Sequence, residues 1–214
     1  MELLVLLALL VSVAATMAGS LSRSTKQTIQ FMSLQAAAIG FVELMYVLIN
    51  LVSGLHIEAL VKFFAVFAEW FSAAAVSPLI IYWGMAKTEN FEDRPTMSAA
   101  GVTAFLALLV LAHLGLEFLY SRYLPTQLEA TFFISLMFTL SLFLMATRKD
   151  PLKIIVGLNM AENALYPLLA RSPLNVMPFI LVLVVFVNVV AVFIVIESYR
   201  DYQTMDLSKW RLTA

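Results

Sequence analysis

A small set of polar side chains stands out because each interrupts an otherwise apolar stretch. Glu43 lies in IGFVELMYVL, with Gln35 eight residues before it and Asn50 seven after, so all three share a broad sector of one helix face. Glu69 stands seven residues from Lys62 and hence on its face. His113 and Glu117 are spaced i,i+4 and can touch. The segment GLNMAENALYP aligns Asn159, Glu162, Asn163 and Tyr166 as one polar face, and Asn188 is the lone polar residue of a long apolar run. Carboxyls, amides and a phenol in such surroundings suit the passage of charge. A carboxyl taken out of water holds its proton more readily and can trade it with water or a neighbour.

Other chemistry finds little support. The chain has no cysteine and two histidines, His56 and His113, which exclude disulfides, Cys-ligated clusters and a multi-His metal centre in this chain. There is no glycine-rich phosphate loop and no nucleophile elbow, so no catalytic residue and no metal ligand is assigned. A net charge of −1 gives no basis for binding nucleic acid.

The elements that must position these groups follow from composition. Of 214 residues, 62% are hydrophobic and 13% charged, against roughly 45–50% and ~25% in soluble domains. The mean hydropathy is +0.94. A soluble fold of this size has too much surface to hide so much apolar material. The expected class is all-α, a polytopic membrane protein. Seven stretches match the ~17–25 residues that cross a hydrocarbon core as helix: 2–19, 28–54, 59–86, 97–120, 128–147, 152–171 and 174–198. The breaks at 20–27, 53–58, 87–96, 121–126, 148–151 and 171–174 combine charge with Pro, Gly or Ser. The first span begins Met1-Glu2 without the basic start of a signal peptide, so it is expected to be a retained helix.

Ten Lys and Arg fall in the first, third and fifth breaks, at the start of the sixth span and in the tail, namely Arg23, Lys26, Lys87, Arg94, Arg148, Lys149, Lys153, Arg200, Lys209 and Arg211. Lys62, Arg122 and Arg171 fall on the other side. This asymmetry predicts the N-terminus outside and the C-terminus in the cytoplasm of a cell (inner or plasma) membrane. Counted along each helix at about 1.5 Å per residue, Glu43, Glu69, Glu162 and Asn188 share the middle third, while His113 and Glu117 lie nearer the outer surface. Lys62 is expected to snorkel outward. Pro78 and Pro167 fall inside the third and sixth spans, where each frees a carbonyl one turn back.

The sixth span and its flanks also carry a family likeness. RKDPLKIIVGLNMAENALYPLL resembles the short basic loop and helix with a membrane glutamate of NuoK-type subunits, and the tail TMDLSKWRL resembles the tail that ends them. Over nearly its whole length the chain is similar to the longer HyfE type, membrane subunits of hydrogenase-four and formate hydrogenlyase complexes. Supporting features are SRSTKQTIQFMSLQAAAIG with its Gln35, and Pro78-Leu79-Ile80. The resemblance implies four N-terminal helices over 1–127, a NuoK- or MrpC-like three-helix unit over 128–198 and a cytoplasmic tail over 199–214. It also implies a non-catalytic subunit of a [NiFe]-hydrogenase-like complex, with nickel–iron and iron–sulfur centres in partner subunits and no cofactor here. Antiporter-like subunits and a membrane anchor of the redox module would be its protein partners. Glu162 would be one station of a mid-membrane hydrophilic axis, and Asn159 sits where shorter NuoK subunits place their glutamate. The family's lysine before the proline is here about Ala73, with Glu69 the nearby charge. The last span has Asn188 in place of a second acid.

The leading expectation is energy coupling by charge relay through Glu162, with Glu43, Glu69, Asn159 and Asn163 supporting and His113, Glu117, Lys62, Gln35 and Asn188 as accessory groups. One alternative is a structural scaffold between larger subunits, with the polar groups as interhelical glue. Another is a stand-alone seven-helix carrier.

Overall fold

The computed structural model describes residues 2–89, 93, 96–123, 128–169 and 177–210, and the regular elements among them are all helical. In chain order they are α1 (Glu2–Leu21), α2 (Thr25–Val52), α3 (His56–Phe71), a π-turn (Ser72–Val76), α4 (Ser77–Lys87), α5 (Ala99–Tyr123), α6 (Leu128–Thr147), α7 (Pro151–Leu169) and α8 (Met177–Tyr202), followed by a 3-10 turn at Leu207–Lys209. α3, the π-turn and α4 form one rod, so the sixth predicted span is α7 and the seventh is α8. Five stretches are long and apolar enough to cross a membrane: 3–21, 25–52, 56–87, 100–118 and 181–202. α6 contributes a shorter apolar stretch, 131–147, while α7 is interrupted by polar side chains. The break at 171–174 and the charges Arg94, Arg171 and Arg211 lie outside the described residues. α8 runs to Tyr202, four residues past its predicted end, because Glu197 and Arg200 pair at 2.7 Å across one helical turn and carry the helix beyond its apolar part.

Local sequence explains the turns. Ser24 caps α2 by accepting from Gln27 N–H at 3.4 Å. α2 ends in a paired reversal, Gly54 N–H to Leu51 O and Leu55 N–H to Asn50 O, with Gly54 at φ +81°, a value that favours glycine. Asp150 caps α7 through Leu152 N–H at 2.9 Å, and Pro151 occupies the first helical position, where no N–H is needed. That tight turn lays α7 antiparallel against α6.

The rod α3–α4 has its own device. Pro78 cannot donate to the carbonyl of Ala74 four residues back, and the Ser33 hydroxyl of α2 donates to that oxygen instead, at 2.5 Å. In an unbroken helix Glu69 and Ser77 would be roughly 80° apart. The π-turn adds one residue to a turn and cancels most of that angle. The buried positions therefore continue as Val66, Glu69, Ala73, Ser77, Ile81 and Met85.

α1, α2, α6 and α7 form the centre, α3–α4 and α8 pack on one side of it, and α5 leans on α6 and α1 from the other. Ile29, Met32, Ile81, Leu152, Val156, Met160 and Val192 fill one core cluster, and Ile39, Met137, Ala164 and Tyr166 belong to a second. Outer faces are apolar as well: Leu3, Phe64, Phe67, Leu108, Leu111, Val182 and Phe186 are exposed. Such continuous apolar exposure is costly in water and neutral in lipid. The long helices are those of a membrane-embedded protein.

At the end where α1 stops, buried cations hold the chain together. Arg148 Nη2 donates to Ser20 O at 2.7 Å and Ser22 O at 3.0 Å, and Lys153 Nζ donates to Ser22 O at 3.1 Å and Arg23 O at 2.7 Å. These carbonyls are the negative end of the α1 dipole, so two cations cap it. Burial pushes the Arg148 guanidinium below its ordinary range, and Asp93 and Asp150 oppose that shift. The tail closes over the same end: Leu207 N–H reaches Lys149 O at 3.2 Å, Lys149 pairs with Asp206 at 3.8 Å, and Trp210 stacks on Tyr202.

Candidate functional site: a mid-depth polar layer

Groups predicted only to share a depth are brought into contact. On α2, Gln35 and Glu43 are two turns apart and both buried. Gln35 Nε2 donates to Thr16 Oγ1 of α1 at 2.9 Å and to Met160 O of α7 at 3.1 Å, and its Oε1 accepts from Asn163 Nδ2 at 3.4 Å. Asn159 and Asn188 exchange two hydrogen bonds, 2.8 and 2.7 Å, and Asn188 Nδ2 also reaches Ser77 Oγ at 2.9 Å. Asn188, the lone polar residue of its apolar run, thus finds its partners on other helices. It ties α8 to α7 and α4.

The predicted single face on α7 is divided. Asn159 turns to α8 and Asn163 to α2, while half-buried Glu162 accepts from Tyr166 Oη at 3.2 Å. Side chains a turn apart on one helix face different neighbours when helices surround it, and α7 is packed by α2, α4, α6 and α8.

The acids converge. Glu43 of α2 and Glu69 of α3 are 4% and 3% exposed, and their carboxyls lie within hydrogen-bonding reach of each other. Glu162 and Tyr166 of α7 are close enough to interact electrostatically with Glu69. Apart from the Glu69 carboxyl, no N–H or O–H donor among the described residues reaches either oxygen of Glu43. The approach of α3 to α2 depends on Gly40: a Cβ there would stand 3.0 Å from Trp70 Cδ1 and 3.3 Å from Trp70 Cβ, beside Glu69. Glu43 and Glu69 thus form a buried acid pair between α2 and α3, with Glu162 and Tyr166 of α7 near enough to act on it electrostatically.

No protein-family model, curated protein or solved structure matches this chain.

The remaining predicted groups lie elsewhere. His113 and Glu117 do not pair; the imidazole Nδ1 bonds Leu109 O at 2.9 Å and Nε2 faces Thr139 Oγ1 at 3.4 Å. The free carbonyl lone pair one turn back on the same helix is nearer to hand than a second side chain. Lys62 is exposed, two turns from Glu69 toward the start of α3. Among the described residues no group of three or more His, Cys, Asp or Glu side chains is arranged to hold a metal ion. Sequence reasoning missed Thr16, Ser33 and Ser77, hydroxyls in apolar helices that look like small packing residues until a partner faces them. It also counted Arg148 and Lys153 only among the charges that set the orientation, although both residues are buried.

Proposed function

We propose that this chain is a non-catalytic, seven-span subunit of an ion-translocating respiratory complex of the membrane-bound hydrogenase or formate hydrogenlyase type. Its part is to couple electron transfer in partner subunits to ion movement through the layer that contains Glu43, Glu69 and Glu162. The observation that carries this reading is the convergence of three acids from α2, α3 and α7 without a basic partner among the groups that act on them. Uncompensated acids at this depth cost several kcal/mol and are retained for work that needs them. The family likeness of the α7 segment supplies the kind of complex, with antiporter-like subunits and a redox module as partners. Nickel–iron and iron–sulfur centres belong to those partners.

Replacing Glu162 by Gln is expected to lower ion pumping by the assembled complex several-fold. Electron transfer from its redox module to an artificial acceptor should stay near the wild-type rate. Unchanged pumping would remove Glu162 from the relay.

A scaffold reading has its own support. The Asn159–Asn188–Ser77 and Thr16–Gln35–Asn163 networks are well paired, which is what interhelical glue requires. On that reading Glu162→Gln reduces the yield of assembled complex and leaves the ratio of ions moved per electron unaltered.

A further inference from the structure

The meeting of Glu43 and Glu69 constrains what occupies the space between them. A carboxylate only accepts hydrogen bonds; a protonated carboxyl also donates. Two carboxyl groups within bonding reach, both almost completely buried, attract each other only if something positive lies between them. Among the described residues, and apart from the Glu69 carboxyl itself, no N–H or O–H reaches either oxygen of Glu43. The charged or titratable groups that act on the pair are Glu162 and Tyr166 from α7, an acid and a phenol, neither of which brings positive charge.

A metal cation is a poor fit. Hard cations take a shell of several oxygen ligands. Glu162 is already engaged by the Tyr166 hydroxyl at 3.2 Å. The carbonyl that Pro78 releases, Ala74 O, is taken by Ser33. The carbonyls of regular helix each already accept one hydrogen bond from the helix itself. A proton needs only the two carboxyls.

We propose that Glu43 and Glu69 bind one exchangeable proton between them, and that H+ rather than Na+ or K+ is the ion this site holds. This names the ion for the site identified above and rests on reading the acid cluster as the ion-handling layer. The pair is then an acid and its conjugate base with one net negative charge. When the proton moves from one oxygen to the other, the donor becomes the acceptor and the total charge is unchanged. Loading from or release to Glu162 changes that charge by one.

Infrared spectroscopy tests this on the full chain, isolated in mild detergent with whatever partners it retains. At neutral pH exposed acids are ionised, so the protonated-carboxyl band reports buried ones. The double variant Glu43→Gln, Glu69→Gln keeps size and hydrogen-bonding capacity. It is expected to lose the band area of one carboxyl, calibrated on the tyrosine ring band, and the lost band should shift in D2O. Loss of two carboxyls, or of none, overturns the shared proton. Exchanging choline chloride for NaCl or KCl at constant pH is expected to leave the wild-type band unchanged. Its loss, with proton release to the medium, would assign the site to an alkali cation. Should the double variant not assemble, the wild-type spectrum still decides, since absence of any protonated-carboxyl band, or its removal by Na+ or K+, sinks the proposal. The spectrum reads occupancy without turnover, so its failure is separable from failure of the Glu162→Gln pumping test.

Discussion

Two regions of this protein bury ionisable side chains, and they treat them in opposite ways. At the end of α1, Arg148 and Lys153 are 4% and 0% exposed, yet their donors meet the carbonyls of Ser20, Ser22 and Arg23, and Asp93 lies 3.8 Å from Arg148. In the acid cluster, Glu43 is as deeply buried, and apart from the Glu69 carboxyl neither of its oxygens meets a donor among the described residues. The first arrangement offsets the cost of burial with charge-assisted hydrogen bonds and a helix dipole. The second leaves the cost to be met by a proton. Although Arg148 Nε and Nη1 make no hydrogen bond among the described residues, each cation meets carbonyls and Arg148 has a carboxylate nearby. The acids have only one another and a phenol. The first arrangement is architecture, and the second is where an exchangeable ion belongs.

The comparison breaks most visibly at Lys153. Lys153→Met keeps the aliphatic stem and deletes the ammonium, leaving the α1 carbonyls without their donor, and should cost about 2–3 kcal/mol, as expected for buried hydrogen bonds to a charged group. Thermal unfolding of the purified chain in detergent should show a clear fall in midpoint. A variant as stable as wild type would mean that the cap is dispensable. Next in size is Gly40→Val, which drives a branched side chain into Trp70 and pushes α3 from α2. Overpacking of this kind costs about 1–3 kcal/mol. Its informative readout is the protonated-carboxyl band, which should broaden or shift as the Glu43–Glu69 contact opens. Asn188→Ala removes both hydrogen bonds to Asn159 and the one to Ser77 and should cost about 0.6–2 kcal/mol, measured by the same unfolding assay, with the carboxyl band unmoved. A changed band there would merge two networks that the geometry keeps apart.

The smallest effect is at the tail. The Ser208 hydroxyl and the nearby Lys149 and Lys209 hold the Asp206 carboxyl below the usual aspartate range. A carboxyl with a depressed folded value contributes in full above the ordinary aspartate value, about 3.9, and its contribution disappears as pH falls through the lower folded value. The tail should therefore stay docked through neutral and mildly acidic pH and loosen only in strong acid. Trp210 fluorescence, taken as the difference from a Trp210→Phe chain, follows this directly. Release of the tail near neutral pH would show that Asp206 does not help hold it.

Much of the fold was legible in the linear chain. Apolar runs of spanning length, broken by RKDP, SGLHIE and SLSRSTKQ, located the helices to within a few residues, because water and lipid sort side chains before any tertiary contact forms. The polar residues at mid-depth were legible too, since an ionisable group in an apolar run is conspicuous. What the helices do with them was not. The divided face of α7, the Asn159–Asn188 pair, the pairing of His113 with Thr139 rather than Glu117, and the burial of Lys153 all depend on which helices become neighbours. The π-turn before Pro78 was likewise hidden, because its effect is a rotation that matters only once α2 and α8 lie against the rod.

By itself, then, the sequence determined an all-helical chain with membrane-type helices, and which side chains carry charge at their centre. Periodicity and hydropathy are local, and a residue's depth follows from counting along its own helix. Tertiary structure decided that Glu43 faces Glu69, that Gly40 lets them meet, and that Arg148 and Lys153 are sealed over the end of α1. Contact between helices distant in the chain is set by packing over whole surfaces, and no single segment contains that information.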